Sequence, residues 1–498
     1  MGRFIAEFLG GVGLGEGSET PDPARISLRG GGPVPLPARL PVGELAADAV
    51  GALALAIAAL RAGEGESAGS GASGARIELD PARISRSFRS DRLGRIGGAP
   101  PDVWSPLTGF FEASDGWIRT HANYPWHAEA LLLALEAGNR EALSRAIREL
   151  PAREVEARAF AAGALAVAAR TANEWASERG PRGAAVRSVA GRSAGSGSGS
   201  GRSFAGRSRA QVDRGSAPLA GLRVLDLTRV IAGPVATRAL AGLGADVLRI
   251  DSPRRPEPLW QWLDTGRGKR SALLDFVDAT GASRLRALLD KADVVVTGSR
   301  PGALAAFGLE PEQLAESHPS LVLGRVRAWS PGGGGAWAER RGFDSLVQVA
   351  SGIALAEAGP AGTAAAGAGA AGAGAGGAGA AAPGRLPAQA LDHAGGTLLA
   401  AGVIARLREP APAAFVEVSL EGVARALLEA GLPSESADQA RVPDPALDSA
   451  LDAPPASVPS AWGELAIVGE AYVPEWRGDP GPWSGREFGA DDPEWLPR

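Results

Sequence analysis

Asp392 is the side chain best placed to do chemistry. It lies in Ala390-Leu-Asp-His-Ala-Gly-Gly-Thr-Leu-Leu-Ala400, where a long apolar helix should begin. A carboxylate in a first helical turn is kept ionised by the dipole and the free N–H groups. In that state it is available as a nucleophile. Gly395 and Gly396, one turn on, are expected to allow close approach of a substrate and its developing oxyanion. The same pattern also describes a plain helix cap, and residue types alone leave both readings open. Other nucleophiles are scarce. There is no cysteine, which excludes disulfides, thiolate zinc and cysteine catalysis. The four histidines are scattered rather than spaced as ligands, so no metal is expected. Lysine occurs only at Lys269 and Lys291, leaving two candidates for Schiff-base chemistry.

Phosphate-binding loops fail on inspection. Gly268-Lys269 is followed by Arg270 and lacks the earlier glycine of a Walker A loop. The glycines of 10–17 never satisfy G-x-G-x-x-G. The turn Thr228-Arg-Val-Ile-Ala-Gly-Pro234 is no dinucleotide fingerprint. It does place backbone N–H groups and Arg229 at a helix start, where an anion could be held.

These residues need elements to carry them. Residues 222–228, 245–251, 271–276, 293–297 and 321–327 read as strands separated by helices. That alternation predicts an α/β fold, a doubly wound parallel Rossmann-like sheet, with ligands at the carboxyl ends of its strands. Residues 36–189 read as a smaller α+β domain, with a helix at 43–61, a strand at 75–79 and amphipathic helices from 127 to 178. A tail of 1–35 precedes it. A Gly/Ser/Arg linker (190–216) separates it from the α/β domain at 217–431, which a Gly/Ala insertion (358–384) interrupts. A Pro-rich segment, 432–498, follows.

The Leu386-Pro-Ala-Gln389 run, its helix and the strand after it echo Leu36-Pro-Ala-Arg39 with a helix and strand of its own, a possible internal duplication. Leu45 then falls opposite Asp392, with Asp48 one turn later. The first copy thus reads as structural or substrate-covering. His121, Asn123, Tyr124, Trp126 and His127 form a polar–aromatic cluster that could line a pocket or simply pack the domain.

Net charge is −5, which argues against nucleic-acid binding. The apolar run at 50–60 is short for a bilayer span, and 358–384 is Gly/Ala rather than Leu/Ile/Phe. A cytoplasmic protein without membrane partners is expected.

An ordered series of motifs resembles family III CoA transferases, the CaiB/BaiF group that includes formyl-CoA and carnitine CoA transferases and α-methylacyl-CoA racemase. It opens with Pro218-Leu-Ala-Gly-Leu-Arg-Val-Leu-Asp-Leu-Thr-Arg-Val-Ile-Ala-Gly-Pro234 and Leu243-Gly-Ala-Asp-Val-Leu-Arg-Ile250. Gly266-Arg-Gly-Lys-Arg-Ser271, Arg300-Pro-Gly-Ala303, Arg341-Gly-Phe-Asp-Ser345 and Ala390-Leu-Asp-His393 follow in order. Ser114-Asp-Gly-Trp-Ile118 and Arg170-Thr-Ala-Asn-Glu-Trp175 resemble the family's small domain, here placed ahead of the CoA-binding half. The chain thus looks like a degenerate partial copy fused to a second one.

The resemblance implies an enzyme of class EC 2.8.3.- that moves CoA between an acyl-CoA and a free carboxylic acid. Asp392 would pass through an aspartyl-acyl anhydride and an aspartyl-CoA thioester. Coenzyme A is then substrate and product rather than a tightly bound cofactor. It would lie along Val230, Ile231 and Ala232, with Arg300 and Arg341 near it. Ser252 and Ala306 stand where formyl-CoA transferase has phosphate-contacting arginines, so Arg254, Arg255 or Arg300 must substitute. Phe343 occupies the racemase histidine's position and cannot carry a proton, which disfavours racemisation. His393, adjacent to Asp392 on the helix and pointing elsewhere, reads as a hydrogen-bonded structural histidine. A non-catalytic CoA-binding scaffold is the alternative, and family members are interlocked homodimers.

Overall fold

The computed structural model describes residues 2–14, 21–62, 76–180, 183–189, 217–332, 336–358, 382–408, 414–431, 455–474, 483 and 485–497. The linker 190–216 and most of the 358–384 insertion lie outside the described residues.

Seven strands form the main sheet: β1 (Val186–Val189), β2 (Arg223–Leu227), β3 (Asp246–Asp251), β4 (Lys269–Leu273), β5 (Val294–Thr297), β6 (Val322–Arg327) and β7 (Ala414–Ser419). Their order is β4-β3-β2-β5-β6-β7-β1. Every pairing is parallel except that of β1, which runs antiparallel along β7 with Val186 opposite Val418. Val- and Leu-rich runs such as Val294-Val-Val296 are buried on both faces, as a sheet covered by helices requires. The order reverses between β2 and β5, so their carboxyl ends open a crevice where such sheets bind ligands.

Four helices matter for the site: α1 (Val42–Ala62), α2 (Ala232–Gly242), α3 (Asp344–Ser351) and α4 (Ala390–Leu407). Of the residues in α4 only Arg406 escapes burial, and α1 is nearly as buried. Both are Ala/Leu helices apolar all round, which marks central rather than surface helices. They lie against each other, and α2 packs on α4 from another side. With 21 residues, α1 is longer than the predicted 43–61 helix, and it is long and apolar enough to pass for a membrane span; most of it is buried inside the protein instead.

A smaller antiparallel sheet, Gly109–Ala113, Gly116–Thr120 and Ala166–Ala168, carries the helices Pro125–Ala134, Arg140–Arg148 and Ala152–Ala161. Its own core includes Phe111, Ile118, Leu131, Leu143, Ile147 and Val155. The α/β sheet and a smaller α+β unit are thus both present.

Three segments are placed differently from the sequence reading. Helix α1 and strand β1 belong to the main core, so residues 36–189 are not packed as a unit of their own. The expected tail contains the helix Ile5–Val12, whose Ile5, Phe8, Leu9 and Val12 are buried in that same core. Past 454, Val458–Ser460 and Gly463–Ala466 pair with one another, the second strand also with Arg95–Ile96, and Leu465 packs on Trp262 and Leu263. Isolated tryptophans in a Pro-rich stretch give no periodic signal, which is why this packing was not anticipated.

Candidate active site

Asp392 is the third residue of α4; Gln389 stands at the cap position, and Asp392 caps nothing. Its backbone N–H donates to Asp344 Oδ2 at 3.0 Å, so the starts of α3 and α4 meet at two carboxyl groups. Gln348 Nε2 binds the other oxygen of Asp344 and, through its Oε1, the N–H of Leu386 at 3.0 Å. The carboxylate of Asp392 has no hydrogen bond among the described residues and is 6% exposed.

The surroundings of Asp392 oppose the expectation that it is held ionised. Burial raises its pKa well above the usual range, and the nearby charges of Asp344 and Asp91 push the same way. Asp344 is itself pushed up to about 6, chiefly by burial. The dipole of one helix end is outweighed by desolvation together with two like charges.

Two cavities meet at Asp392. The larger, about 430 Å³, lies at the sheet's switch point. The loops after β2 and β5 line it, the latter with Gly298 to Ala303. Val230, Ile231, Ala232, Arg300 and Arg341 all line this cavity, so the structure brings these five predicted residues together with Asp392. Arg255 joins them. Arg255, Arg300 and Arg341 have no carboxylate partner among the described residues. The pKa of Arg341 is lowered by partial burial and then by the neighbouring Arg300 and Arg255. Three unneutralised guanidinium groups around one opening are poised for a polyanion. Arg254, by contrast, is paired with Asp275 at 2.7 Å. Neither Ser252 nor Ala306 lines the cavity.

The turn entering α2 is strained. Val230 has φ of 69°, a left-handed conformation that a β-branched residue adopts at a cost of about 1–3 kcal/mol. Glu257 holds it there. Its carboxylate accepts from the Val230 N–H (3.2 Å), Arg229 Nε (2.6 Å) and Tyr124 Oη (3.1 Å). One buried acid therefore ties the small domain to the turn.

The smaller cavity, about 230 Å³, is shared between the α/β domain and the small domain. Asp392, Tyr124, Val230, Ile231 and Phe343 line both cavities. His121 and Asn123 line the smaller one, Trp126 and His127 the larger, so the polar–aromatic cluster does line pockets. Phe343 stacks on His121 with ring centroids 3.9 Å apart.

The two glycines are not where the chemistry needs them. A methyl at Gly396 would lie 2.2 Å from the Ala232 carbonyl oxygen, and one at Gly395 would lie 3.2 Å from Leu420 and Val418. They permit close packing of α4, and neither lines a cavity. His393 stacks on Phe88 at 5.2 Å, and its buried Nε2 has no hydrogen-bond partner among the described residues, contrary to expectation. Burial lowers its pKa to about 3. Lys269 is committed to Asp226 Oδ2 (3.1 Å), Thr237 Oγ1 (2.7 Å) and the Pro234 carbonyl (2.9 Å), so it braces the sheet. Asp48 accepts the N–H groups of Gly2 and Phe4 and anchors the first helix.

Asp91, Asp344 and Glu257 were missed. Asp344 sits within Arg341-Gly-Phe-Asp-Ser345, so a signal existed; Asp91 and Glu257 act only through contacts distant in sequence.

A carboxylate thus stands between a cationic cavity at the switch point and an aromatic one. Residues 219–461 match the model of CoA-transferase family III. A probable fatty acyl-CoA transferase of Mycobacterium tuberculosis is 32% identical over 203 residues, covering 38% of this chain and 46% of that protein. The succinate–glutarate CoA-transferase of Agrobacterium fabrum is 33% identical over 154 residues, covering 27% of this chain and 38% of that protein. A crystal structure of the Mycobacterium tuberculosis protein aligns at 30% identity and a TM-score of 0.35, covering 43% of this chain and 57% of that one. The chain thus spans less than half the length of these curated relatives.

Proposed function

We propose that the protein transfers CoA between an acyl-CoA and a free carboxylic acid, with Asp392 as nucleophile. The observation that carries this reading is the position of Asp392, which lines both the arginine-rimmed cavity and the aromatic one. The first suits the phosphates and pantetheine of CoA, the second the acyl group.

The ionised carboxylate attacks the thioester carbonyl, the C–S bond breaks, and CoA thiolate leaves an aspartyl-acyl anhydride. Thiolate then attacks the aspartyl carbonyl, releasing the donor's carboxylate and forming an aspartyl-CoA thioester. The acceptor carboxylate attacks that thioester and displaces the thiolate, giving a second anhydride. Return of the thiolate to the acceptor's acyl carbon frees Asp392. Ile231, Ala232 and Gly233 line the cavity at the start of α2, where first-turn N–H groups are unpaired within the helix and can meet an oxyanion.

Incubation with an acyl-CoA, followed by hydroxylamine or borohydride and peptide mass mapping, should place the adduct on Asp392. An adduct elsewhere, or full activity in Asp392→Ala, rules the assignment out. A second reading, a CoA-binding protein without turnover, draws on the raised pKa of Asp392, which favours the unreactive acid. Calorimetric CoA binding with no transfer from any acyl-CoA at pH 8 would select it. A homodimer belongs to the same proposal and is checked by light scattering.

A further inference from the structure

We propose that the aromatic cavity beside Asp392 selects an acyl chain bearing a hydrogen-bond donor, such as a hydroxyl, amide or ammonium, over a chain ending in a second carboxylate. The proposal rests on the reading of Asp392 as the acyl acceptor.

Trp104, Tyr124, Trp260 and Phe343 give the cavity walls that favour burying a carbon chain. Its polar wall is one-sided. Asp91, Asp102 and Asp344 line it, and among the described residues no lysine or arginine does. Arg119 stacks on Trp104 at 5.5 Å but takes no part in the lining. His121 supplies no charge, because burial, and then Arg119 and His127, hold its pKa well below the ordinary value.

Two donors on this wall are already engaged. Tyr124 gives its proton to Glu257, and Asn123 Nδ2 donates to the Val103 carbonyl at 2.9 Å. Two acceptors are left unmet. Asp91 and Gln261 both line the cavity, and Asp91 Oδ1 and Gln261 Oε1 are buried without a partner among the described residues. A chain with a donor group relieves such unmet acceptors. A second carboxylate would meet like charges without a counter-ion, a costly arrangement away from water. This separates the chain from the relative named for succinate and glutarate.

The test uses the full-length protein with butyryl-CoA, 3-hydroxybutyryl-CoA and succinyl-CoA, chains of equal length. Calorimetric Kd and kcat/KM for transfer to acetate are measured for each. Tightest binding is expected for 3-hydroxybutyryl-CoA and weakest for succinyl-CoA, with about tenfold or more between those two. Asp102→Asn, at an exposed position, and Asp91→Asn should both narrow that ratio by several-fold. Equal or tighter binding of succinyl-CoA overturns the selectivity, as does a ratio untouched by both substitutions. The expected ranking in Kd without any transfer leaves the selectivity standing and removes Asp392 as nucleophile. Transfer with the ranking inverted does the reverse.

Discussion

Burial, and then the charges of Asp344 and Asp91, raise the pKa of Asp392. The nucleophile proposed there would then form as pH climbs above the usual carboxylate range. The kcat/KM profile should therefore rise with pH on its acid side. Asp344→Asn removes one negative charge while keeping an oxygen to accept the Asp392 N–H, so that limb should move to lower pH. A pH–rate profile checks this, and an unmoved limb means another group controls the rate. Arginines at the rim of the larger cavity act differently. Arg255→Gln, Arg300→Gln and Arg341→Gln should each raise KM for an acyl-CoA about 3- to 10-fold with kcat nearly unchanged, since each removes one exposed charge-assisted contact. A drop in kcat alone would place them in the chemical step instead. Asp392, Val230, Ile231, Ala232, Arg300 and Arg341 were legible because each sits in a short contiguous motif. The raised pKa of Asp392 was not, since it comes first from burial and then from Asp344 and from Asp91, some 300 positions earlier in the chain.

At the scale of elements, the approach of α4 to α2 decides where Asp392 stands. Gly396 is the contact point. Added bulk there meets the Ala232 carbonyl oxygen, which belongs to a helix and cannot rotate away. Gly395 faces the side-chain methyls of Leu420 and Val418, which can yield. Gly396→Ala is thus expected to cost about 1–3 kcal/mol and to weaken acyl-CoA binding by displacing Ala232 from the cavity wall. Gly395→Ala should be close to neutral, its strain offset by the roughly 1 kcal/mol that alanine gains in a helix. Thermal denaturation of the pair, with CoA affinity alongside, separates the two; equal losses would mean that helix spacing is not what Gly396 controls. A glycine pair one turn into a helix reads equally well as room for substrate or room for protein. Sequence spacing carries no information on which neighbour arrives, so the oxyanion assignment went astray while the helix itself was foreseen.

For the whole molecule, the two halves on either side of 190–216 share one core. Strand β1 closes the sheet edge along β7, α1 lies against α4, and Glu257 joins the turn before α2 to Tyr124. The alternation of strand and helix showed the parallel sheet, but an antiparallel edge strand of four residues donated from before a linker leaves no pattern of its own. If these contacts rather than the connecting peptide hold the halves together, cutting the chain should change little. A protease site engineered within 190–216 and cleaved to completion is expected to leave both fragments eluting as one species of the original size. That species should keep its acyl-CoA affinity, because the two cavities draw on both halves. Burial of α1 alone removes Leu45, Val50, Leu55 and Ile57 from water, each worth about 1.5–3 kcal/mol, which exceeds what separation of the fragments gains in freedom. Fragments that part on dilution to micromolar concentration would show that the shared core is too weak to define the site without the covalent connection.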